Sequence, residues 1–297
     1  MTIADELITL RDLLRFAVSQ FSAARISYGH GTSNALDEAA FLLLEALSLP
    51  IDDINPWLEA RLTRAERERL LGLIEARVVT RKPAPYLVGR AYIRDLGFTV
   101  DERAIIPRSY LGELLLDGRL VELGMVDNPL AAGAVLDLCT GNGSLAIIAA
   151  LEFPNAEIDA VDLSADALAV ARGNIDEYGL GDRIQLAQGD LFAPLKGRRY
   201  DLIVTNPPYV AAAEVEAFPP EYQAEPQMAH LGGEDGLDLV RRILREAGAH
   251  LNPDGGLLCE IGTGRAILEA EFDLPFTWLD TEESEGEVFW LSAEALR

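Results

Sequence analysis

The segment Asn206-Pro207-Pro208-Tyr209 carries the residue types best suited to holding a planar nitrogen group. Pro207 biases Asn206 toward an extended conformation at the end of an apolar run. Because neither proline has an N–H, the carbonyl groups beside them are free to accept hydrogen bonds from a ligand. The side-chain oxygen of Asn206 and the carbonyl of Pro207 can accept from one NH₂ group, and Tyr209 offers a flat stacking face. The segment predicts a site for an adenine or cytosine amino group or for a carboxamide. A rigid turn after a strand is the alternative.

A second candidate site is the loop Thr140-Gly141-Asn142-Gly143, which lies between the apolar run 134–138 and a helical pattern. Its glycines let the backbone turn sharply and approach a ligand closely. Asp162 follows about 20 residues later, where a carboxylate can accept from both hydroxyls of a ribose. Asp190 follows a third run, where it can meet an adenine amino group. These carboxylates favour S-adenosylmethionine over NAD, whose phosphates would need the loop. A tight turn that binds nothing is the alternative.

The two sites together indicate methyl transfer to an amide or amino nitrogen. A carboxamide nitrogen is a weak nucleophile because its lone pair is delocalised. Fixing both of its N–H groups presents the nitrogen to a sulfonium methyl, and such positioning can supply roughly 7–11 kcal/mol of a barrier. Acceptor oxygens nearby also stabilise the positive charge that the nitrogen develops. This chemistry needs no metal. The histidines His30, His230 and His250 are isolated in the sequence, so we expect them at the surface or at helix caps.

The elements that must position these residues alternate between strand and helix from residue 108 onward. Helical patterns lie at 144–151, 165–178 and 237–250. The predicted strands are 134–138, 157–161, 183–187, 200–205 and 256–261, with a closing pair at 276–279 and 288–291 around a turn at 283–286. Such alternation predicts an α/β fold with a parallel sheet between helices. Ligands then bind beyond the carboxyl ends of the strands, at the topological switch point.

The residues before this region have the pattern of a helical bundle followed by a hairpin. Apolar residues follow helical spacing over 7–21, 36–47 and 70–78. We expect an N-cap at Thr32-Ser33 and a capping box at Thr63-Arg64-Ala65-Glu66. Residues 92–100 alternate in a β-rich pattern that predicts a hairpin. We therefore divide the chain into a helical substrate-recognition domain (1–88), a hairpin linker (89–107) and a methyltransferase domain (108–297).

Composition restricts the compartment and the partners. The 297 residues include 25 Lys and Arg against 49 Asp and Glu, so the net charge is −24 at pH 7. No uncharged apolar run approaches the ~18 residues that a membrane span requires, and the acidic first residues are unlike a signal peptide. We expect a protein of the cytoplasm with no membrane partner. The negative field repels nucleic acid and attracts basic polypeptides, so we expect no direct DNA binding; solubility in a salt-adapted host is the alternative explanation.

The chain resembles the HemK-like N5-glutamine methyltransferases over nearly its whole length. The matching stretches are Phe98-Thr-Val-Asp101, Ile106-Pro107-Arg108, Asp137-Leu-Cys-Thr-Gly-Asn-Gly143, Asp162, Gly189-Asp190, Asn206-Pro-Pro-Tyr209, Glu234-Asp-Gly-Leu237 and Glu260-Ile-Gly262. The resemblance implies a class I S-adenosylmethionine-dependent methyltransferase. Its expected fold is a Rossmann-like α/β domain with a seven-stranded sheet, joined to an N-terminal helical bundle by a hairpin linker.

The resemblance also implies roles for single residues. The cofactor S-adenosylmethionine would be bound by Thr140, Gly141, Asn142 and Gly143 at its methionine end, Asp162 at the ribose, and Asp190 and Leu191 at the adenine, with Asn206 next to it. The glutamine would be bound by Asn206, Pro207, Pro208 and Tyr209, of which Asn206, Pro207 and Tyr209 would be catalytic. Phe98 and Pro107 would cover the methyl-transfer pocket, unless they are ordinary core residues of the hairpin.

Within this family the segment after Pro107-Arg108 separates two branches. The branch that acts on release factors usually has Pro-Arg-x-Glu-Thr, whereas this chain has Pro-Arg-Ser-Tyr-Leu. That segment, Cys139 and Pro219–Pro226 resemble the branch that methylates a glutamine of the third protein of the large ribosomal subunit. The implied partner is therefore a basic ribosomal protein, free or in a ribosome assembly intermediate. Glutamine methylation of release factors, adenine-N6 methylation of nucleic acid, and a non-enzymatic assembly role remain as alternatives.

Two further features bear on these expectations. Residues 61–90 carry eight cations and three anions, so this segment could touch ribosomal RNA, or its cations could pair with nearby carboxylates. Cys139 and Cys259 fall on the first and fifth predicted strands, which the fourth separates in sheets of this kind. They are then too far apart for a disulfide.

Overall fold

The structure is a computed structural model that describes residues 2–281 and 284–297; Met1 of the acidic N-terminus and Glu283 of the predicted turn lie outside them. The helices are α1 (Ile3–Glu6), α2 (Leu10–Ala24), α3 (Ala35–Ala46), α4 (Arg64–Thr80), α5 (Ala84–Val88), α6 (Tyr110–Leu116), α7 (Arg119–Glu122), α8 (Ser144–Glu152), α9 (Ala165–Glu177), α10 (Ala212–Glu216), α11 (Asp238–Glu246) and α12 (Arg265–Glu271). The strands are β1 (Arg90–Ile93), β2 (Leu96–Thr99), β3 (Ala134–Leu138), β4 (Glu157–Asp162), β5 (Ile184–Gln188), β6 (Tyr200–Thr205), β7 (Leu251–Glu260), β8 (Thr277–Leu279) and β9 (Val288–Ser292). None of the helices in the described ranges is long and apolar enough to cross a membrane.

Strands β3 to β9 form one sheet in the order β5-β4-β3-β6-β7-β9-β8. The first five strands in this order pair in parallel, whereas β9 pairs antiparallel with both β7 and β8. The predicted α/β class and seven-stranded sheet are confirmed, and the closing pair makes the sheet mixed. Because β3 has β4 on one side and β6 on the other, the strand order reverses at β3. The loops that follow β3 and β6 therefore meet at one point.

Helices cover both faces of this sheet. Ile147 of α8 and Ile175 of α9 are fully buried in a core on one face. Val240 of α11 and Leu268 of α12 are fully buried in a second core on the other face. Strands covered on both faces need nearly continuous apolar runs, which is why β3 and β6 were visible in the sequence.

The strand boundaries differ from the sequence prediction mainly in β7. Strands β3 and β6 have the predicted bounds, but β7 begins at Leu251 rather than at residue 256. The early start follows from pairing, because Leu251 already lies opposite Tyr200 of β6 before a bulge in the register. The helix predicted at 237–250 also divides, since α11 ends at Glu246 and a 3-10 turn covers Ala247–His250.

Helices α2, α3 and α4 pack around a separate apolar core that contains Phe21, Leu42 and Leu70. The predicted capping box before α4 is confirmed, since Thr63 and Glu66 cap each other reciprocally. The predicted N-cap of α3 is wrong by one or two residues: Asn34 is the cap, and its side-chain oxygen accepts from two backbone N–H groups. Thr32 is engaged elsewhere, because its hydroxyl donates to the buried carboxylate of Glu38.

The hairpin of β1 and β2 is confirmed and is bonded to the regions on both sides of it. Tyr92 donates its hydroxyl to Glu45 of α3 at 2.8 Å. On the other side, the amide of Asn174 in α9 exchanges two hydrogen bonds with the backbone of Thr99, at 2.8 and 3.0 Å. The hairpin thus fixes the helical bundle relative to the helix that follows β4.

Most cations of the basic segment 61–90 have carboxylate partners. This is the second of the two roles expected from the sequence, pairing within the chain rather than contact with ribosomal RNA. The ion pairs within the described residues are Arg64–Glu68, Arg77–Glu38, Arg81–Glu221, Lys82–Glu102 and Arg90–Glu177. Arg77 and Glu38 are both buried, at 2.6 Å from each other. Much of this positive charge is therefore neutralised within the fold.

Candidate active site

The loop between β3 and α8 is shaped by the residues predicted to bind a cofactor. Cys139, Gly141 and Gly143 all have positive φ, at 60°, 56° and 83°. A side chain at Gly143 would lie 3.1 Å from the Cβ of Ala171, so the loop packs tightly on α9 at this point. The hydroxyl of Thr140 donates to Asp137 at 2.6 Å. These contacts hold the loop in a sharp turn at the carboxyl end of β3.

Asp162 connects this loop to the end of β4. One of its carboxylate oxygens accepts from the backbone N–H of Gly141 at 2.8 Å, and the other accepts from Ser164 at 2.8 Å. Burial raises the pKa of Asp162, and the two N–H donors oppose that shift. The side chain remains half-buried and lines the same cavity as the loop. Its second lone pairs are therefore available to a ligand in that cavity.

Asp190 and Leu191 lie at the end of β5, on the far side of the cavity. Asp190 is exposed and pairs with Arg242 of α11 at 2.9 Å. Leu191 is buried with a positive φ of 48°, which turns the chain around the cavity wall. The sequence did not predict that Arg242 pairs with Asp190. Nothing in the pattern of α11 distinguishes this arginine from any other cation on the surface of a helix.

Two buried polar atoms, one in the loop and one near the end of β3, have no hydrogen-bond partner among the described residues. The side-chain NH₂ of Asn142 is enclosed, and Asn142 is 2% exposed. One carboxylate oxygen of Asp137 is enclosed as well, and burial raises the pKa of Asp137 to about 7. Buried polar groups are nearly always hydrogen-bonded in native proteins. An unpaired amide that lines the cavity, as Asn142 does, is what a polar cofactor would satisfy.

Asn206, Pro207, Pro208 and Tyr209 follow β6 directly and line the same cavity as the loop after β3. Within the part of the chain that the structure describes, neither the side chain of Asn206 nor the carbonyl of Pro207 forms a hydrogen bond. Both oxygens are therefore free acceptors at the topological switch point. The cavity has a volume of about 400 Å³, enough for a small-molecule ligand.

Tyr209 is held by groups that the sequence did not connect to it. Its hydroxyl donates to the buried carboxylate of Glu260 at 2.9 Å. Its ring lies against Gly262, where a side chain would come within 2.9 Å of it. Gly236 approaches the Tyr209 carbonyl so closely that a Cβ would lie 2.3 Å from it. Two of the matched stretches, Glu260–Gly262 and Glu234–Leu237, thus pack on the tyrosine of Asn206–Tyr209, the segment that we call the acceptor motif.

The wall opposite the acceptor motif depends on one buried carboxylate. Glu225 accepts two hydrogen bonds from Arg108, at 2.7 and 2.8 Å, and one from the backbone N–H of Ile106 at 3.0 Å. Burial raises the pKa of Glu225, but the neighbouring His230, His30 and Arg108 outweigh burial and hold the pKa well below its usual range. Glu225 therefore stays ionised and ties Ile106–Arg108 to the loop after β6.

The expectation for the histidines is wrong for His30, which is buried; His230 is also buried but caps the C-terminus of the 3-10 turn Gln227–Ala229, as one part of the expectation stated. His30 and His230 are 1% and 4% exposed, and their Nε2 atoms lie 3.4 and 3.1 Å from Glu225. His250 is half-buried and is the last residue of the 3-10 turn Ala247–His250. Its Nδ1 lies 3.0 Å from the carbonyl oxygen of Arg198. The sequence separates His30 from His230 by 200 positions, and only the packing of the bundle on the loop brings them together.

The structure brings most of the predicted site residues to this one cavity. Those that line it are Thr140, Gly141, Asn142, Asp162, Asp190, Leu191, Asn206, Pro207, Pro208, Tyr209 and Pro107. Gly143 does not line it but shapes the loop from behind. Phe98 does not line it either: it is fully buried and stacks on Tyr178 at 5.7 Å. Phe98 is thus a core residue, as the alternative held, but it lies in the core on the α8 and α9 face of the sheet rather than in a core of the hairpin itself.

Cys139 and Cys259 lie on β3 and β7 or just after, with β6 between them, and both are free. Burial raises the pKa of both thiols above the ordinary value, so they stay protonated. A protonated buried thiol is a poor nucleophile. The cysteines therefore contribute packing rather than chemistry.

Comparison with known proteins decides which family has this arrangement. Residues 119–218 match the family model described as methyltransferase small domain. A curated protein of Bradyrhizobium diazoefficiens, named ribosomal protein uL3 glutamine methyltransferase, is 57% identical over 98% of this chain and 92% of its own. The chain belongs to the family of ribosomal protein uL3 glutamine methyltransferases. The resemblance stated from the sequence is thereby confirmed, including its branch.

A second curated relative agrees with this membership. A Burkholderia pseudomallei protein of the same name is 51% identical over 97% of this chain and 95% of its own. A methyltransferase structure from Pyrococcus furiosus superposes with a TM-score of 0.46 at 16% identity, covering 78% of this chain and 99% of that one. The family identity extends across the helical bundle as well as the sheet, because the curated relatives match nearly from end to end.

Proposed function

We propose that this chain transfers a methyl group from S-adenosylmethionine to the side-chain nitrogen (N5) of a glutamine in ribosomal protein uL3. The observation that carries the proposal is the pair of free acceptors at Asn206 and Pro207, in one cavity with the loop after β3. The names of the curated relatives support the choice of uL3 as the substrate. The cytoplasm is the proposed compartment, because a ribosomal protein is modified there.

The residues of the loop fit S-adenosylmethionine. The unpaired amide of Asn142 and the free lone pairs of Asp162 offer polar partners to a nucleoside amino acid. Thr140 and Gly141 would hold its methionine end, Asp162 its ribose, and Asp190 and Leu191 its adenine. When bound, S-adenosylmethionine supplies an electrophilic methyl carbon on a positively charged sulfur.

The acceptor motif performs the other half of the reaction. Asn206 and the Pro207 carbonyl accept from the two N–H groups of the glutamine amide, which fixes its nitrogen and points the lone pair into the cavity. The same oxygens stabilise the positive charge that grows on this nitrogen. Tyr209 forms a wall for the flat amide, since Glu260 and Gly262 fix its ring. No side chain has to remove a proton before the methyl group moves. The nitrogen–carbon bond would form as the sulfur–carbon bond breaks, S-adenosylhomocysteine would be the leaving group, and the cationic nitrogen would then lose one N–H proton to solvent.

The helical region 1–88 is the proposed substrate-recognition domain, the hairpin 89–107 the linker, and 108–297 the methyltransferase domain. Charge supports a basic substrate, because the protein carries a net charge of −24. Opposite net charges accelerate association of two proteins and disfavour partners of the same sign. Nucleic acid carries the same negative sign as this protein, so electrostatic repulsion disfavours it as a substrate.

The test is transfer of labelled methyl to purified uL3, to a purified release factor, and to ribosomal RNA or DNA. Labelled uL3 should yield N5-methylglutamine by mass spectrometry, and Asn206→Ala should lose at least about a hundredfold in kcat because the positioning acceptor is gone. Asn155→Ala is the matched control, since Asn155 is an exposed asparagine away from the cavity. Label in the release factor alone would assign the other branch, and label in nucleic acid alone would overturn the proposal.

A further inference from the structure

A second cavity of about 380 Å³ lies between the helical bundle and the hairpin. Its floor is apolar, with Phe41 and Leu44 of α3 and Ile51 and Ile54 of the following loop. Tyr92 of β1 forms part of the opposite side. The lining is therefore mixed, with an apolar floor and polar groups around it, as in sites that bind amphipathic groups.

The two cavities share a wall. Ile106 and Pro107 line both the active-site cavity and this second cavity. A polypeptide that places one side chain against Asn206 can therefore cross Pro107 and place a neighbouring residue in the second cavity. Glu225 fixes this wall through Ile106 and Arg108, so the separation of the two cavities is rigid.

The rim of the second cavity is acidic and unneutralised. Asp37, Asp52 and Asp53 line it and are exposed, and no lysine or arginine lines it with them. None of the three carboxylates has an ion-pair partner in the described ranges, in contrast to the neighbouring Glu38, which is bound to Arg77. Asp37 and Asp53 accept hydrogen bonds from Asn34 and Asn55, but these neutral donors leave the negative charge in place. Three carboxylates without a cationic partner around one opening favour a cation from outside the chain.

A buried polar group inside the cavity also lacks a partner. His30 lines the cavity, is 1% exposed, and has no hydrogen-bond partner for Nδ1 among residues 2–281 and 284–297. A buried nitrogen left unpaired destabilises the fold, so a ligand that pairs with it is stabilised. His30 is independent of the acidic rim, because it is held from the other side by Glu225.

We propose that the second cavity binds a lysine or arginine side chain of the substrate protein, close to the methylated glutamine; this rests on the proposed function. The aliphatic stem packs on the apolar floor, and the charged head reaches the carboxylates of the rim. The cavity is then a specificity site: it selects a glutamine that has a cation nearby in the substrate.

The test compares two variants with the same change in net charge. Asp52→Asn/Asp53→Asn removes two carboxylates at the rim, and Asp182→Asn/Glu294→Gln removes two exposed carboxylates that line neither cavity. Steady-state kinetics on uL3 and a direct Kd for uL3 are measured for both, with thermal unfolding as a check on folding. We expect the rim variant to raise KM and Kd roughly tenfold with kcat and the KM for S-adenosylmethionine unchanged, and the control to change neither beyond about twofold.

Each other outcome has a distinct meaning. Equal effects of the two variants would overturn the specificity site, because only overall charge would then matter, while turnover of uL3 would still support the proposed function. If the wild type binds uL3 but does not methylate it, the proposed function is overturned. The Kd values of the rim and control variants for uL3 then decide whether the second cavity binds the substrate. Neither binding nor methylation of uL3 by the wild type would overturn both.

Discussion

The hydroxyl of Tyr209 donates to Glu260 at 2.9 Å, which joins the acceptor motif after β6 to the end of the adjacent strand β7. The second oxygen of Glu260 accepts from the hydroxyl of Ser109 at 2.7 Å and from the backbone N–H of Tyr110 at 3.0 Å. Glu260 is 1% exposed, and burial raises its pKa. One buried carboxylate therefore orients the tyrosine of the acceptor motif and also fixes the start of α6.

Replacing Glu260 by glutamine should lower kcat by about tenfold or more, because a misplaced ring loosens the amide site. Glutamine has one acceptor oxygen where three donors converge, so a buried donor loses its partner. The KM for S-adenosylmethionine should stay unchanged, since Glu260 does not line the cavity. Steady-state kinetics measure both. The control is Glu294→Gln at an exposed position. An unchanged kcat would show that Tyr209 keeps its place without this bond.

Asp162→Ala should raise the KM for S-adenosylmethionine by at least roughly tenfold, since the loss of a charged hydrogen-bond partner typically costs about 1.5–3 kcal/mol. The carboxylate also bonds to the N–H of Gly141, so its removal loosens the loop as well. Isothermal titration with S-adenosylmethionine measures the corresponding rise in Kd directly. Asp182→Asn is a suitable control, because Asp182 is exposed and lines no cavity. Equal affinity of Asp162→Ala and wild type would remove Asp162 from the cofactor site.

Gly143→Ala and Gly173→Ala should change stability in opposite directions. Gly143 has a φ of 83° and would place its new Cβ 3.1 Å from that of Ala171, so the variant should lose about 1–3 kcal/mol. Gly173 is in α9 with nothing within 4 Å of a new Cβ, so alanine there should add about 0.5–1 kcal/mol. Urea denaturation measures both. A Gly143→Ala variant as stable as wild type would contradict the tight contact between the loop and α9.

Glu225→Gln should cost about 3–5 kcal/mol at neutral pH, since it removes one partner from a buried ion pair. The folded-state pKa of Glu225 lies below the ordinary value of 4.5 because of His230, His30 and Arg108, despite burial. Its stabilisation is therefore fully present above that value and is lost as the pH falls toward the folded-state pKa.

The measurement is the free energy of unfolding as a function of pH. Wild type should lose stability on acidification more steeply than Glu225→Gln, because only wild type has this group to protonate. Glu216→Gln, at an exposed position on α10, should follow wild type. Stability curves for Glu225→Gln and wild type that stay parallel down to pH 3 would refute the pKa shift. At that pH the unfolded carboxyl group has already taken up a proton that the folded one has not.

The sheet and the acceptor motif could be predicted because their determinants are local. β3 and β6 are short apolar runs that must be buried on both faces, and their bounds match the prediction. The glycines of the loop after β3 and the prolines after β6 restrict their own backbones, so they signal turns without help from the rest of the chain. The start of β7 was missed because pairing with Tyr200 determines it.

The sequence by itself determined the α/β class, the loop after β3, the carboxylates after the strand ends, and the position of Asn206–Tyr209 after β6; amide binding there stays a prediction. The tertiary structure alone decided that Phe98 lies in the core on the α8 face of the sheet, that Glu260 holds Tyr209, and that His30 and His230 both lie beside Glu225. The physical reason is distance along the sequence. Turns and strands depend on neighbouring residues, whereas the partner in a buried ion pair or hydrogen bond can come from any position that packing brings near. In this protein the partners of Glu225 come from the bundle, the linker and the loop after β6 at once.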